Sequence, residues 1–388
     1  MAALTLLDLS TAFDTVDHPT LLRRLRESYG ICGSALSWLT SYLSGRRQHV
    51  RCGASGSVAT SVLFGVPQGS VLGPILFLLY TADILRLVQQ HNLEPHLYAD
   101  DTQVLGVCDP SATQQLSMQM SSCIDDVAAW MASNRLQLNT SKTELLWCAS
   151  NRRQHQIPQS GLMVGTDCVL PATSVRNLGI YLDADVSMRT HVARTVSCCF
   201  GVLRQLRSIR RSVSRPVLKS LVASLVLTRL DYGNAALAGL SGHLCDRMQS
   251  VPNAAARLVF GAAKFDHVTP LLMDLHMLRV PERISYKLAV LTYRCLHGLA
   301  PPYLARELHP VSDVESRRRL RSSSTAQLVV PRVCRSTIGG RSFPVAAAQV
   351  WNSLPPPVTS STSLQSFKRT LKTELFSRSF PAARSSHY

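Results

Sequence analysis

Two regimes of apolar and polar spacing run along this chain. The first half alternates short apolar runs with turn residues; from His191 onward the spacing turns helical and the polar positions turn basic. Ala3 to Leu9 is an apolar run short enough for a buried strand, with Asp8 at its end. Pro19 to Tyr29 predicts an amphipathic helix, with Leu21, Leu22 and Leu25 apolar and Arg23, Arg24 and Arg26 solvated. Ile31 to Leu43 predicts a second helix. Gln48 to Arg51 and Ala59 to Leu63 predict two short strands around the Gly53–Gly56 turn.

Beyond the loop at Gly65–Gly69, Val71 to Leu87 predicts one long apolar helix. His96 to Ala99 and Thr102 to Val107 are apolar strands flanking Asp100-Asp101, the pattern of a hairpin. Ser117 to Asn134 predicts a helix with Trp130 and Met131 near its end, and Glu144 to Cys148 a strand. Asn151 to Gln159 is a polar linker, followed by a hairpin leading to Leu178-Gly179-Ile180. Ser214-Arg215-Pro216 is a helix start with proline in the first turn. Val217, Leu218, Leu221, Val222 and Leu225 then keep one apolar face until Asp231-Tyr232-Gly233. Pro302 and the Arg317–Arg321 cluster predict irregular, exposed chain, and Thr359 to Phe376 a last helix. No internal repeat is visible.

Charge sharpens this division. The 388 residues carry a formal net charge of +17, which favours a polyanionic partner. Residues 1–185 hold 12 Lys and Arg against 15 Asp and Glu; residues 186–388 hold 29 against 9. Carboxylates that hold metal ions belong to such a first half, and a surface that neutralises phosphates to such a second. The 11 cysteines show no CxxC pair or zinc-ligand spacing, which points to a reduced, intracellular protein, in nucleus or cytoplasm and not secreted. The uncharged stretch Cys52 to Ala82 contains Pro67, Gly69, Gly73 and Pro74. It reads as a buried segment with a loop inside it, and no membrane partner is expected.

Two acidic positions carry the candidate chemistry: Asp8 at a strand end, and Asp100-Asp101 at a hairpin tip. A carboxylate at a buried strand end is cheap only if solvent or a cation reaches it. Three converging carboxylates repel unless a cation neutralises them, and hard oxygen ligands suit two Mg²⁺ ions. Neighbouring side chains in a strand point to opposite faces, so Asp100 and Asp101 are unequal; Asp100 is expected to dominate. Taken singly, an Asp-Asp pair is an ordinary turn.

Five segments in order resemble the palm motifs of reverse transcriptases, specifically those of non-LTR (LINE-type) retrotransposons. They are Leu7-Asp8-Leu9-Ser10-Thr11-Ala12-Phe13-Asp14-Thr15-Val16-Asp17-His18, then Gly65-Val66-Pro67-Gln68-Gly69-Ser70-Val71-Leu72-Gly73-Pro74, then Tyr98-Ala99-Asp100-Asp101. Asn139-Thr140-Ser141-Lys142-Thr143-Glu144 and Leu178-Gly179 complete the series.

The resemblance implies an RNA-directed DNA polymerase acting on an RNA template, a DNA primer and dNTPs, with two Mg²⁺ ions or Mn²⁺ in their place. Asp8 and Asp100 would hold the metals, with Asp101 assisting. Phe13 would lie beneath the incoming sugar and exclude a ribose 2′-hydroxyl; read alone, it is core packing. Pro67, Gln68 and Gly69 would face the nascent base pair, and Tyr98 would join this substrate site. Lys142 would protonate the leaving pyrophosphate or lie near the triphosphate; read alone, it is a solvated lysine. Leu178-Gly179 would grip the primer end, or form a plain strand turn.

The fold expected is α+β. A palm of antiparallel sheet with helices on one face spans residues 1–185, a helical thumb 186–264, and a basic helical region without assigned role 265–388. Arg204, Arg207, Arg210, Arg211 and Arg215 would contact phosphates, or form a merely exposed basic face. The family places fingers and an endonuclease upstream of the first palm motif. With seven residues ahead of Asp8, the fingers are expected to be missing from this chain and its synthesis to be weak. The alternative is a catalytically inactive remnant that retains only nucleic-acid binding; a basic binding protein without polymerase ancestry is the third reading.

Overall fold

A central strand ending in a carboxylate organises the first half of the molecule. The computed structural model describes residues 1–313, 327–333 and 336–381. It divides into two units, Met1–Val186 and Ser187–Tyr388, described in turn. In the first, β1 (Ala2–Ser10), β2 (Glu94–Tyr98), β3 (Asp101–Val107) and β4 (Gln137–Cys148) form one antiparallel sheet in the order β2-β3-β1-β4. The two faces of β1 are both apolar but lead to different partners. Ala3, Leu7 and Leu9 join a large core with Phe77, Tyr80, Ile84, Met120, Ile124 and Trp147. Leu4 and Leu6 join a smaller cluster with Leu105, Leu146, Val175 and Leu182. Each fully buried side chain of this size contributes about 1.5–3 kcal/mol over an exposed one.

The large core is closed by α1 (His18–Glu27), α2 (Gly33–Leu43), α3 (Leu72–Thr81), α4 (Asp83–Gln90) and α5 (Thr113–Ser133). Among the described residues, four two-stranded pairs complete the unit. Arg47–Gln48 pairs with Thr60–Ser61 and Arg51–Cys52 with Ser55–Gly56, so the two predicted strands form one thin hairpin. The hairpin β5 (Leu162–Val164) and β6 (Asp167–Val169) follows a 3₁₀ turn over Asn151–Gln156. The hairpin β7 (Ser174–Asn177) and β8 (Ile180–Asp183) contributes Val175 and Leu182 to the smaller cluster.

Two expectations change on this side. Val71 to Leu87 is not one helix: α3 ends at Thr81 and α4 begins at Asp83. The Thr81 hydroxyl donates back to the Phe77 carbonyl at 3.0 Å, a bond that bends helices. Arg24 is buried, not solvated. Its guanidinium donates to the Tyr80 carbonyl and to Asn134 Oδ1 at 2.7 Å, faces Asp83 at 3.5 Å and stacks over Tyr80 and Trp130. By length and composition alone, Leu72–Gln90 is apolar enough to cross a membrane. Its Leu76, Phe77, Tyr80, Ile84 and Val88 are built into the large core.

The second unit is helical. Its main elements are α6 (Arg189–Ile209), α7 (Arg215–Val222), α8 (Gly242–Phe260), α9 (Val268–Asp274), α10 (Val280–Leu296), α11 (Phe343–Asn352) and α12 (Leu364–Ser379). The start at Arg215-Pro216 follows the predicted signal, but the helix does not run unbroken to Asp231. A π-helical turn, Ala223–Leu227, intervenes before a last turn at Thr228–Leu230. One core gathers Tyr293, Trp351, Phe367, Leu371 and Leu375, with the Tyr293 and Phe367 rings stacked 4.4 Å apart. The last helix starts at Leu364, where the Ser363 hydroxyl accepts from the Ser366 N–H at 3.2 Å. The Arg317–Arg321 cluster lies outside the described residues.

Candidate active site

The end of β1 brings acidic residues into one row. Leu7 pairs with Thr102, so the same register carried one residue further sets Asp8 opposite Asp101. Asp101 in turn pairs with Tyr98, and Asp8 pairs with Asn139 on the other side. Directly opposed residues share a face. Tyr98, Asp101, Asp8 and Asn139 therefore form one row across four strands. The next row on that face is Gln103, Leu6 and Glu144.

The turn between β2 and β3 is two residues long, Ala99-Asp100, with Ala99 in the left-handed region (φ 54°). That conformation suits a tight hairpin but is unusual for a residue with a Cβ. The structure thus puts Asp101 on the row of Asp8, while Asp100 occupies the turn. Asp100 stays near enough for its charge to act on Asp101: the Asp101 carboxyl is raised above its usual range, first by burial and then by the Asp100 and Asp8 charges.

Lys142 reaches this row through an irregularity the sequence does not announce. Strand β4 runs from Gln137 to Cys148, longer than the predicted Glu144–Cys148. Its pairing shifts between Glu144, opposite Leu6, and Asn139, opposite Asp8. The extra residues between them bulge out, and bulges re-aim side chains. Lys142 Nζ comes to 3.3 Å from Asp8 Oδ2. That carboxylate oxygen is otherwise buried without a hydrogen bond.

An open cleft of about 530 Å³ lies over these rows. Asp8, Asp101, Lys142, Glu144, Arg176 and Leu178 line it. Burial raises the Glu144 carboxyl, and the Arg176 backbone N–H pulls it the other way. The turn Leu178-Gly179 arrives there because β7 and β8 cover the adjoining apolar cluster. Both turn residues have positive φ, 44° and 82°, as a two-residue type I′ hairpin requires. Gln103 and Asn177 fasten this hairpin to β3 through a pair of amide hydrogen bonds. Sequence reasoning missed Gln103, Glu144, Arg176 and Asn177; only strand register and hairpin docking bring them in.

Phe13, on the turn after β1, and Pro67, Gln68 and Gly69, on the loop before α3, form a second assembly. The Phe13 ring packs on Phe77 at 4.7 Å between centroids. The Gly65 and Val66 N–H groups each donate at 2.8 Å, to the Val16 and Phe13 carbonyls. Gln68 Nε2 donates to Asp14 Oδ1 at 2.8 Å. A Cβ on Gly65 would stand 2.8 Å from Asp14 Cα, and one on Gly73 2.6 Å from the Pro67 carbonyl oxygen. Glycine is required at both by close backbone approach.

The donor set suits a hard cation. Among the described residues no three His, Cys, Asp or Glu side chains stand close enough to share one ion. Still, Asp8 Oδ2 is buried without a hydrogen bond beside the Lys142 ammonium, and Asp101 feels two neighbouring negative charges, which are conditions a divalent cation relieves.

In the second unit Arg204, Arg207, Arg210, Arg211 and Arg215 are all exposed. They are not equivalent. The Arg215 guanidinium stacks over the Phe260 ring at 3.7 Å. The Arg210 guanidinium lies against Gly261 so closely that a Cβ there would clash. Arg204, Arg207 and Arg211 have no acidic partner among the described residues.

Residues 2–182 match the family described as reverse transcriptase (RNA-dependent DNA polymerase). The chain is 28% identical over 297 residues to the probable RNA-directed DNA polymerase from transposon BS of Drosophila melanogaster, covering 72% of this chain and 31% of that protein. It is 30% identical over 214 residues to the putative 115 kDa protein in type-1 retrotransposable element R1DM of the same species, covering 54% and 19%. It is 27% identical over 194 residues to the RNA-directed DNA polymerase from mobile element jockey of Drosophila funebris, covering 48% and 20%. A telomerase structure from Candida albicans, in complex with a telomeric RNA fragment, aligns over 74% of this chain and 47% of that one. Its TM-score is 0.36 and its sequence identity 12%. The chain spans about a third or less of the length of these curated relatives.

Proposed function

Since this chain belongs to the reverse transcriptase family of LINE-type retrotransposons, we propose that its first unit is a polymerase palm that extends a DNA primer on an RNA template. One observation carries the reading: Asp8 and Asp101, on adjacent strands, line one cleft that also holds Lys142 and the Leu178 turn. The reaction joins the primer 3′-hydroxyl oxygen to the α-phosphorus of a dNTP and breaks the bond to pyrophosphate. Asp8, Asp100 and Asp101 hold the divalent cations, Mg²⁺ or Mn²⁺. When bound, these activate the hydroxyl and neutralise charge on the phosphates.

The remaining roles belong to the chain's own groups. Lys142 keeps a proton close to the departing phosphate oxygens, and Leu178-Gly179 locates the primer end. Phe13 closes the floor beneath the sugar, while Pro67, Gln68 and Gly69 hold the base-pair side and Tyr98 flanks the carboxylate row. The helices of residues 186–264 act as a thumb, with Arg204, Arg207, Arg210, Arg211 and Arg215 on phosphates. An intracellular place of action, in nucleus or cytoplasm, goes with this reading.

Primer extension on an RNA template with an annealed DNA primer, dNTPs and Mg²⁺ tests the proposal. Extension that disappears in Asp8→Asn and in Asp101→Asn supports it. No extension, together with salt-sensitive binding of the duplex, assigns the chain to an inactive remnant that only binds nucleic acid.

A further inference from the structure

A second cavity, of about 370 Å³, lies wholly within the helical unit. Three lysines open onto it from three elements: Lys219 of α7, Lys287 of α10 and Lys372 of α12. The one carboxylate in its wall, Asp231, is already taken. Arg283 grips it through Nε at 2.8 Å and Nη2 at 2.5 Å. Among the described residues no other carboxylate lines the cavity beside these lysines. Ala223, Leu227, Leu275, Met277 and Leu278 supply the apolar part of the wall, and His276 and Tyr286 complete it.

The backbone around the cavity departs from regular structure at two places. Ala223 and Leu227, the two ends of the π-helical turn, both line it. Such turns are rare and cluster at functional sites. His276, also in the wall, holds a left-handed backbone at φ 52°. Neither feature is needed to bury the lysines, which are exposed.

We propose that this cavity is a phosphate-binding site, served by Lys219, Lys287 and Lys372. The donor type selects the ligand. A planar carboxylate favours the fork of an arginine, and the arginine fork here is occupied by Asp231. Separate ammonium groups act as point charges and suit a compact anion with several charged oxygens. The phosphate comes either from a free nucleotide or polyphosphate, or from a nucleic-acid strand. The inference does not rest on the polymerase assignment, because its test reads binding and not synthesis.

The full chain is titrated calorimetrically with inorganic tripolyphosphate, and by fluorescence anisotropy with a short single-stranded oligodeoxythymidylate. The test variant combines Lys219→Met, Lys287→Met and Lys372→Met. The control combines Lys264→Met, Arg306→Met and Arg332→Met, three exposed cations outside the cavity whose loss changes net charge equally. The parent is expected to bind tripolyphosphate, the test variant about tenfold or more weakly, and the control within about twofold of the parent. If only tripolyphosphate binding falls, the source is a free phosphate compound. If the oligonucleotide falls with it, and its salt dependence becomes shallower, the source is a strand. Absence of tripolyphosphate binding in the parent overturns the site, as do an unaffected test variant and an equal loss in the control.

Discussion

Gln103 and Asn177 exchange two amide hydrogen bonds, at 2.8 and 3.0 Å, although 74 positions separate them in sequence. They tie the strand that begins at Asp101 to the hairpin that ends in Leu178-Gly179. Each amide fills a donor and an acceptor that the other would leave unmet. Replacing either with an apolar residue is expected to cost about 1–3 kcal/mol, because the survivor stays part-buried and unpaired. In a double-mutant cycle of Gln103→Met and Asn177→Leu by urea denaturation, a coupling of about 0.5 kcal/mol or more is expected. Additive losses would remove the link.

The raised Asp101 carboxyl gives a pH dependence with a definite sign. A carboxyl raised on folding binds its proton more tightly in the native state. Its favourable contribution is complete below the unfolded value and is lost as pH rises through the folded one. At neutral pH and without divalent cations, Asp101→Asn should therefore melt above the parent. The gap should close as pH falls to and below the ordinary aspartate range. Thermal melts across that range check this; a parent that melts higher than Asp101→Asn at neutral pH refutes it.

Divalent cations should reverse that ordering. If Asp8 and Asp101 hold them, Mn²⁺ raises the melting temperature of the parent by mass action and leaves Asp8→Asn unmoved. Lys142→Met is expected to destabilise the cation-free protein slightly, since its ion pair is largely exposed. With Mn²⁺ present that deficit should shrink, because the metal supplies the charge the ammonium had given. Equal Mn²⁺ shifts in the parent and in Asp8→Asn would argue against these ligands.

The glycines of the Pro67 loop should separate two costs. Gly73→Ala places a methyl 2.6 Å from a backbone oxygen, where only backbone movement gives relief, and about 1–3 kcal/mol of stability should be lost. Gly69 has open space around it but a φ of 75°. Its alanine variant should lose only about 1–2 kcal/mol, the left-handed penalty. Urea midpoints decide between them, and equal losses would mean the Pro67 contact is not tight.

Phe13 has both a packing role and a proposed selective one. Phe13→Val should reduce stability by about 1–2 kcal/mol through its contact with Phe77. If extension is detected, it should also raise ribonucleotide use relative to deoxyribonucleotide use by about tenfold. A variant that loses stability but keeps its preference would leave Phe13 as core alone.

Short-range patterns made much of the first unit legible. The apolar run at Ala3–Leu9, the hairpin around Asp100-Asp101 and the helix ending near Asn134 all announce themselves locally. Arg24 did not, because its solvation depends on Tyr80, Asn134 and Trp130, far along the chain. Nor did the extra residues in β4, since a bulge exists only relative to a partner strand. Glu144 and Arg176 likewise look like ordinary strand residues until register puts them over the cleft. In the second unit apolar spacing predicted helices well. The π-helical turn stayed hidden because one added residue barely disturbs a hydrophobic period.

That turn amounts to a single-residue insertion absorbed inside a helix. Each residue of an α-helix advances its face by about 100°. Deleting one position within Ala223–Leu227 would let the helix wind regularly, and because the wide turn takes up that extra residue, the faces before and after it would stay nearly aligned. Asp231 would then still meet Arg283, and what the deletion removes is the widened turn itself, with Ala223 and Leu227 at the cavity wall. The widened turn is therefore separable from the helix it interrupts: its loss would reshape the cavity wall and leave the Asp231–Arg283 pair in place.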